Sequence, residues 1–317
     1  MRKGSRPIPG AGTIIPAMDA FLSGFRKLPA KRFSGPFAAF LLVGLFLLLR
    51  LPSLGSYVTA DEALWLRSSA NFYYAIGHAE WEGTIQSSHP GVTTMWAGAA
   101  AFHVVFPEYQ NLGQGEISDF QLRHLLLRKG INPVELLATA RAFVVAINAL
   151  AFALLWPLMR KVFGYWTALA ALLLIANDPF LIGHQRLLHQ DGLLASFTLL
   201  SLVAFFTYRK TAGPWILVLS GIAAGLAGLT KSPGWLLIPF LLSLRIIRAF
   251  QQSGRERLRS LLVPSALVLT GAGVSAMVLY PALWSQPAET LSGILHYALD
   301  SAEGLYSGPV FFASRVF

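Results

Sequence analysis

Apolar runs long enough to cross a bilayer recur along this chain, and no other feature constrains its fold as much. A hydrocarbon core about 30 Å thick takes about 20 largely apolar residues as a helix. Seven segments fit: roughly 36–51, 136–158, 165–183, 192–208, 214–230, 233–250 and 261–284. In lipid every backbone polar group must find a partner within its own segment, so each run is expected to be a helix. An eighth stretch, 91–106, is shorter and opens with "HPG". Only 13% of the residues are charged and 55% are hydrophobic, whereas a soluble domain carries about a quarter charged residues. The expected fold class is an all-α polytopic membrane protein.

The chain contains no cysteine, which excludes disulfides, thiolate metal sites and a thiol nucleophile. A basic stretch of about 35 residues precedes the first run, and no A-x-A-like cleavage site follows it. That run is therefore read as a retained span rather than a signal peptide.

The net charge of +10 raises the question of nucleic acid, which the distribution of charge answers. Cytoplasmic loops of membrane proteins carry an excess of Lys and Arg. Suppose 91–106 does not cross and the N-terminus is cytoplasmic. The cytoplasmic pieces are then the tail 1–35, Arg160–Lys161, Arg209–Lys210 and "RIIRAFQQSGRERLRS" at 245–260. They hold 16 of the 25 basic residues and two of the 15 acids, Asp19 and Glu256. Were 91–106 to cross, those basic loops would face outward. The segment 91–106 is therefore expected to lie on, or dip into, the outer leaflet. Topology accounts for the basic character, and nucleic-acid binding has no support.

This orientation places a large loop, 52–134, on the outer face, with "GHQRLLHQDG" (183–192), "LTKSPG" (229–234) and everything after about 284. The chain stops at "FFASRVF" just as an outer loop begins, so 285–317 is expected to start a longer extracytoplasmic segment.

Ionisable residues at membrane depth are costly, and most are paired or functional. Here they gather at one boundary: Asp61 and Glu62 after the first span, Arg141 early in the second, Arg186 and Asp191 between the third and fourth, and Lys231 between the fifth and sixth. Asp61–Glu62 precedes an amphipathic stretch, where carboxylates suit a helix N-terminus. The pair reads either as a helix cap or as a general base with a positioning neighbour. His89 in "QSSHPGVTTMW" reads as a structural residue beside proline or as part of the mouth of the outer half-helix. Lys231 in "GLTKSPGWLLIP" reads as a snorkelling lysine or, in its Gly/Pro break before a helix start, as an anion site. Arg186, His189 and Asp191 fit a plain polar turn. His78, His103 and His124 have no partners at metal-ligand spacing.

In order and spacing these motifs resemble the GT-C glycosyltransferases, particularly family 39, the protein O-mannosyltransferase and aminoarabinose-transferase group. The resemblance runs over roughly 36–284: an acidic "DE" pair after one span, "HP" before an outer half-helix, an Arg-led span ending "RKVFG", "DGLLASF" opening a later span, then "GLTKSPGWLLIP". It implies a GT-C catalytic module over 36–284 in the plasma (inner) membrane, with an extracytoplasmic site. It also implies transfer of a sugar from a polyprenyl-phosphate donor to a protein, lipid or glycan acceptor. Carried over, Asp61 is the base, Glu62 its orienting neighbour and Asp191 a second acidic site residue. Lys231 holds the lipid phosphate, assisted by Arg141 and Arg186, and His89 lies in the substrate-binding HP position. The chain departs from the family pattern in three places. "HPG" replaces "HPP", the Pro after the family's Asp is missing, and Ser88 stands where aminoarabinose transferases carry Glu. No metal ligand and no required cofactor is assigned, and a divalent metal remains open. The alternatives are a transporter or flippase of a lipid-linked or anionic solute, which would place polar sites near the midplane, and a catalytically silent assembly partner.

Overall fold

The structure is a computed structural model that describes residues 35–87, 90–211, 213–303, 311–312 and 315–316. His89 and the basic tail lie outside the described residues. The first helix, α1 (Gly35–Arg50), is followed by α2 (Ala60–Gly77), α3 (Val92–Val105), α4 (Tyr109–Leu112) and α5 (Asp119–Arg128). Then come α6 (Pro133–Phe163), α7 (Tyr165–Asn177), α8 (Pro179–His184), α9 (Gln190–Thr211) and α10 (Pro214–Thr230). A 3₁₀ turn (Ser232–Leu236) leads into α11 (Leu237–Phe250), α12 (Gly254–Leu279), α13 (Ala282–Ser285) and α14 (Pro287–Glu303). Phe311–Phe312 pairs antiparallel with Arg315–Val316. The all-α expectation holds.

Four helical segments are long and apolar enough to cross a membrane: 133–163, 190–208, 232–250 and 254–279. Helices α1, α3, α7 and α10 are shorter and apolar. Phe40, Leu48, Leu150, Leu174, Ile247 and Val278 are exposed on their outer faces. Apolar surface of that extent on a bundle's exterior is what lipid covers, and the protein is an integral membrane protein.

Two boundaries differ from the sequence expectation. The apolar run 165–183 is broken after Asn177, because the residue before a proline disfavours helix. Asp178 instead caps α8, its Oδ1 accepting the Leu181 N–H at 2.8 Å. The basic segment 245–260 is almost wholly helical: α11 runs to Phe250 and α12 starts at Gly254, because arginines propagate a helix well. Helix α3 is packed among its neighbours. Val92, Met95, Ala97, Ala99, Ala101 and Phe102 are buried, chiefly against α2 and α6, as expected for a helix apolar all round.

The spans pack through small residues. On α10, Gly221 and Gly225 approach the α12 backbone at Val268 and Ala272 so closely that a Cβ would collide. Across α9 and α10, Ser201 and Ser220 each donate a hydroxyl to the other's carbonyl at 2.9 Å. Close backbone approach and reciprocal hydrogen bonds are how helices associate where lipid removes the hydrophobic drive.

The bundle has two chemically different ends. At one, the Trp156 indole of α6 donates to the Gly35 carbonyl at the start of α1, at 2.9 Å. The Thr207 hydroxyl of α9 reaches the Leu158 carbonyl at 3.3 Å, and the Arg245 guanidinium lies 5.7 Å from the Tyr208 ring. Arg160, Lys161 and the arginines of the α11–α12 turn belong to this end. The opposite ends of the same helices gather the candidate site.

Candidate active site

The adjacent acids Asp61 and Glu62 open α2 and separate, because successive helical residues point about 100° apart. Glu62 faces inward and is fully buried. Its Oε1 accepts from Arg141 Nε at 2.6 Å and from the Leu188 N–H at 2.9 Å. Its Oε2 accepts from Arg141 Nη2 at 2.5 Å, the Thr59 N–H at 3.0 Å and the Thr59 hydroxyl at 2.8 Å. Arg141, equally buried, gives its remaining nitrogen to the Leu54 carbonyl. This one ion pair joins the first turn of α2, the 52–59 connection, α6 and the segment before α9.

Glu62 and Arg141 are therefore fully engaged with each other. The cap reading of Glu62 is the one the geometry supports, and each nitrogen of Arg141 donates one hydrogen bond within this cluster. Burial alone would raise the Glu62 pKa, but the hydrogen bonds from Arg141, the backbone of Thr59 and Leu188, and the Thr59 hydroxyl outweigh it and hold the carboxyl below its usual range. A carboxyl lowered on folding stabilises the fold above its unfolded pKa, about 4.3. That contribution disappears as pH falls through the lower folded value. Thermal unfolding at a series of pH values should thus show a loss of stability on acidification below about 4.3. That loss should be smaller in a variant with an apolar pair at both positions.

Asp61 faces outward, its side chain 69% exposed. His189 Nε2 lies 3.3 Å from Asp61 Oδ2, and His189 Nδ1 lies 3.4 Å from Asp191 Oδ2. Asp191 Oδ1 in turn accepts from Lys231 Nζ at 2.8 Å. A continuous row, Asp61–His189–Asp191–Lys231, thus joins residues from α2, the turn before α9, the first turn of α9 and the end of α10. Lys231 stands at the break expected for it, in extended conformation between α10 and the 3₁₀ turn. Asp191 comes close because Gly192 lets the start of α9 press onto the backbone of His184 and Gln185, where a Cβ would collide.

Arg186 is half-buried and gives Nη2 to the Pro52 carbonyl, outside the row. His189 entered the sequence reading only as part of a polar turn. Its position two residues before Asp191 was the available signal. Below the row, a polar network runs through the buried bundle. Arg50 Nε donates to Gln185 Oε1 at 2.9 Å, Gln185 Nε2 to Ser196 Oγ at 2.9 Å, and Ser196 Oγ to Asn148 Oδ1 at 2.6 Å. This network fixes α1, α6 and α9 beneath the site.

The "HPG" departure has a structural basis. Gly91 has φ +57, a value closed to proline, whose ring holds φ near −65°. It caps α3 against the Trp65 ring with no room for a Cβ, and its N–H donates to the Thr230 carbonyl at 3.2 Å. Thr93 and Thr230 share a hydroxyl hydrogen bond at 2.7 Å. The start of α3 is thereby tied to the residue before Lys231. From Thr93 an otherwise apolar groove of about 360 Å³ runs along the bundle, lined by Trp96, Leu154, Phe197, Leu200 and Leu226 among others.

Among the described residues no group of three His, Asp or Glu side chains is arranged to hold a metal ion. The row can accept a proton at Asp61 and hold an anion at Lys231.

The family model of the dolichyl-phosphate-mannose-protein mannosyltransferases matches residues 135–284. The match supports a GT-C glycosyltransferase. Comparison with curated proteins and with solved structures found no match. The matched segment contains Arg141, Arg186, Asp191 and Lys231 and leaves out Asp61, Glu62 and His89. Over residues 135–284 the chain is similar to this family of membrane mannosyltransferases.

Proposed function

We infer that the protein transfers a sugar from a polyprenyl-phosphate donor to an acceptor hydroxyl or amine, with inversion at the anomeric carbon. The observation that carries this reading is the junction of two unlike features. Thr93, which lines an apolar groove along the bundle, is hydrogen-bonded to Thr230, and the next residue in sequence is Lys231, an ammonium paired with Asp191 of the row. A polyprenyl phosphate has that same division, an apolar chain with an anionic head.

Lys231 binds the phosphate and stabilises the charge that grows on it as the sugar leaves. Asp61, exposed at the far end of the row, takes the proton of the acceptor as its oxygen or nitrogen attacks. Polyprenyl phosphate is a good leaving group once neutralised, so no second carboxylate is needed as a nucleophile. Direct displacement inverts configuration, as in inverting glycosidases. Glu62 and Arg141 position Asp61 and touch no substrate. The row lies at the bundle end remote from Arg160, Lys161 and Arg257, and the basic end is read as cytoplasmic, so the reaction is extracytoplasmic, in the plasma (inner) membrane. Charges at one boundary, rather than at mid-bundle, favour the transferase over a transporter.

Lys231→Gln removes a charge-assisted hydrogen bond worth about 1.5–3 kcal/mol. Its kcat/KM for polyprenyl-phosphate mannose should fall about 10- to 100-fold, measured with purified protein in lipid nanodiscs. Wild-type kcat/KM in that variant would remove the phosphate role.

A further inference from the structure

At the bundle end opposite the row, the corner where α6 turns into α7 borders a cavity of about 400 Å³ lined by Pro157, Arg160, Lys161, Gly164 and Tyr165. Gly164 makes the turn with φ +87, a conformation that favours glycine. Arg160 and Lys161 are exposed, and neither has a carboxylate at ion-pair distance among the described residues. The Arg160 guanidinium lies 5.2 Å from the Trp156 ring and 5.6 Å from the Tyr165 ring. It also occupies the space that a Cβ at Gly35 would take. Residues of α1, α6 and α7 together hold it in place.

Two cations are more than this corner needs for itself. The C-terminus of α6 carries about half a negative charge and the N-terminus of α7 about half a positive one. These offset each other, so the corner keeps the charge of both side chains. Helix α7 has no side-chain cap, and its first N–H groups lack an intrahelical partner, which suits them to an anion. Tyr165 is buried, and its hydroxyl has no hydrogen-bond partner among the described residues. A phosphate supplies the missing negative charge together with several acceptor oxygens. A water takes about 30 Å³ of liquid volume, so the cavity has room for a phosphate and its substituent.

We propose that this corner binds the phosphate head group of an anionic phospholipid. The apolar surroundings favour a lipid over free phosphate. Phe163, one residue before Gly164, is 53% exposed. Phe40 and Leu41 are exposed on α1, about a turn and a half beyond Gly35. Acyl chains cover such surface, and a free ion does not. Anionic lipid is concentrated in the cytoplasmic leaflet, where basic pockets between spans bind its head groups, and the basic end is the one read as cytoplasmic. This ligand is distinct from the polyprenyl phosphate of the transfer reaction, whose place is Lys231 at the other end of the bundle.

The test places the full chain in phosphatidylcholine nanodiscs doped with phosphatidylglycerol and counts the lipid it retains by native mass spectrometry. The wild type should retain phosphatidylglycerol in preference to phosphatidylcholine. Removing two surface cations weakens binding of an anionic lipid about thirtyfold, and the double variant Arg160→Gln, Lys161→Gln should lose the preference to that extent. Arg257→Gln, at the same end but with its guanidinium over the Phe250 ring, should keep it. An unchanged preference in the double variant overturns the proposal. So does an equal loss in R257Q, which would mean a general basic surface rather than a site. Inorganic phosphate should leave the lipid in place; displacement would make this a site for a free ion. Retention of polyprenyl phosphate in preference to phosphatidylglycerol would make it the donor's site and overturn the proposal as well. If the double variant does not fold, Lys161→Glu replaces it, with a loss of similar size expected and no loss contradicting the assignment.

Discussion

Asp61→Asn should lower kcat by about 10²- to 10⁴-fold, the range over which a positioned general base contributes, while leaving the fold intact. Asparagine has nearly the shape of aspartate and can still meet His189, but it accepts no proton. The side chain is 69% exposed, with His189 as its ion-pair partner, so little stability depends on its charge. Transfer from polyprenyl-phosphate mannose is measured against thermal unfolding of the same preparation. Wild-type turnover in the folded variant would show that another group takes the proton.

The neighbouring acid should behave in the opposite way. Glu62→Ala leaves Arg141 buried without its counter-charge, and removing one partner of a buried pair costs about 3–5 kcal/mol. A large drop in unfolding temperature is expected, with activity lost alongside it. Replacing both partners by apolar residues of similar size should recover most of that loss. Glu62→Leu with Arg141→Met, compared with each single variant, therefore separates the cost of a stranded charge from the worth of the pair. Equal unfolding temperatures for E62A and wild type would mean that the pair does not hold the α2–α6 junction. On these expectations two consecutive carboxylates have different duties, one kinetic and one structural.

The resemblance implied Asp61 as base with Glu62 orienting it, but how Glu62 is held could not be read from the sequence. "DE" shows two acids at a helix start, but which one faces inward depends on Arg141, 79 residues away. His189 was hidden for the same reason, because its ring acquires meaning only when Asp61 is folded against it. What the sequence does expose is local or periodic. Apolar runs gave the helices, charge asymmetry gave the two ends, and the Gly/Pro break gave the irregular backbone at Lys231. The interruption at Asp178–Pro179 was present as an Asp-Pro pair, yet the long apolar run around it masked the break. The burial of α3 was missed because an apolar helix facing protein has the same composition as one facing lipid. Arg141 and Arg186 were expected at the phosphate as cations near the right boundary. Two of their partners, Leu54 and Pro52, come from a connection without periodic pattern, and the third, Glu62, opens α2.

The central claim is that a lipid phosphate and a proton acceptor meet at the bundle end opposite the arginine-rich one. A structure of the protein with a bound polyprenyl phosphate tests it most directly. The account predicts the phosphate within hydrogen-bonding distance of Lys231 Nζ, with the prenyl chain in the groove below Thr93. A phosphate bound instead beside Arg160 and Lys161, at the other end of the same helices, would contradict it.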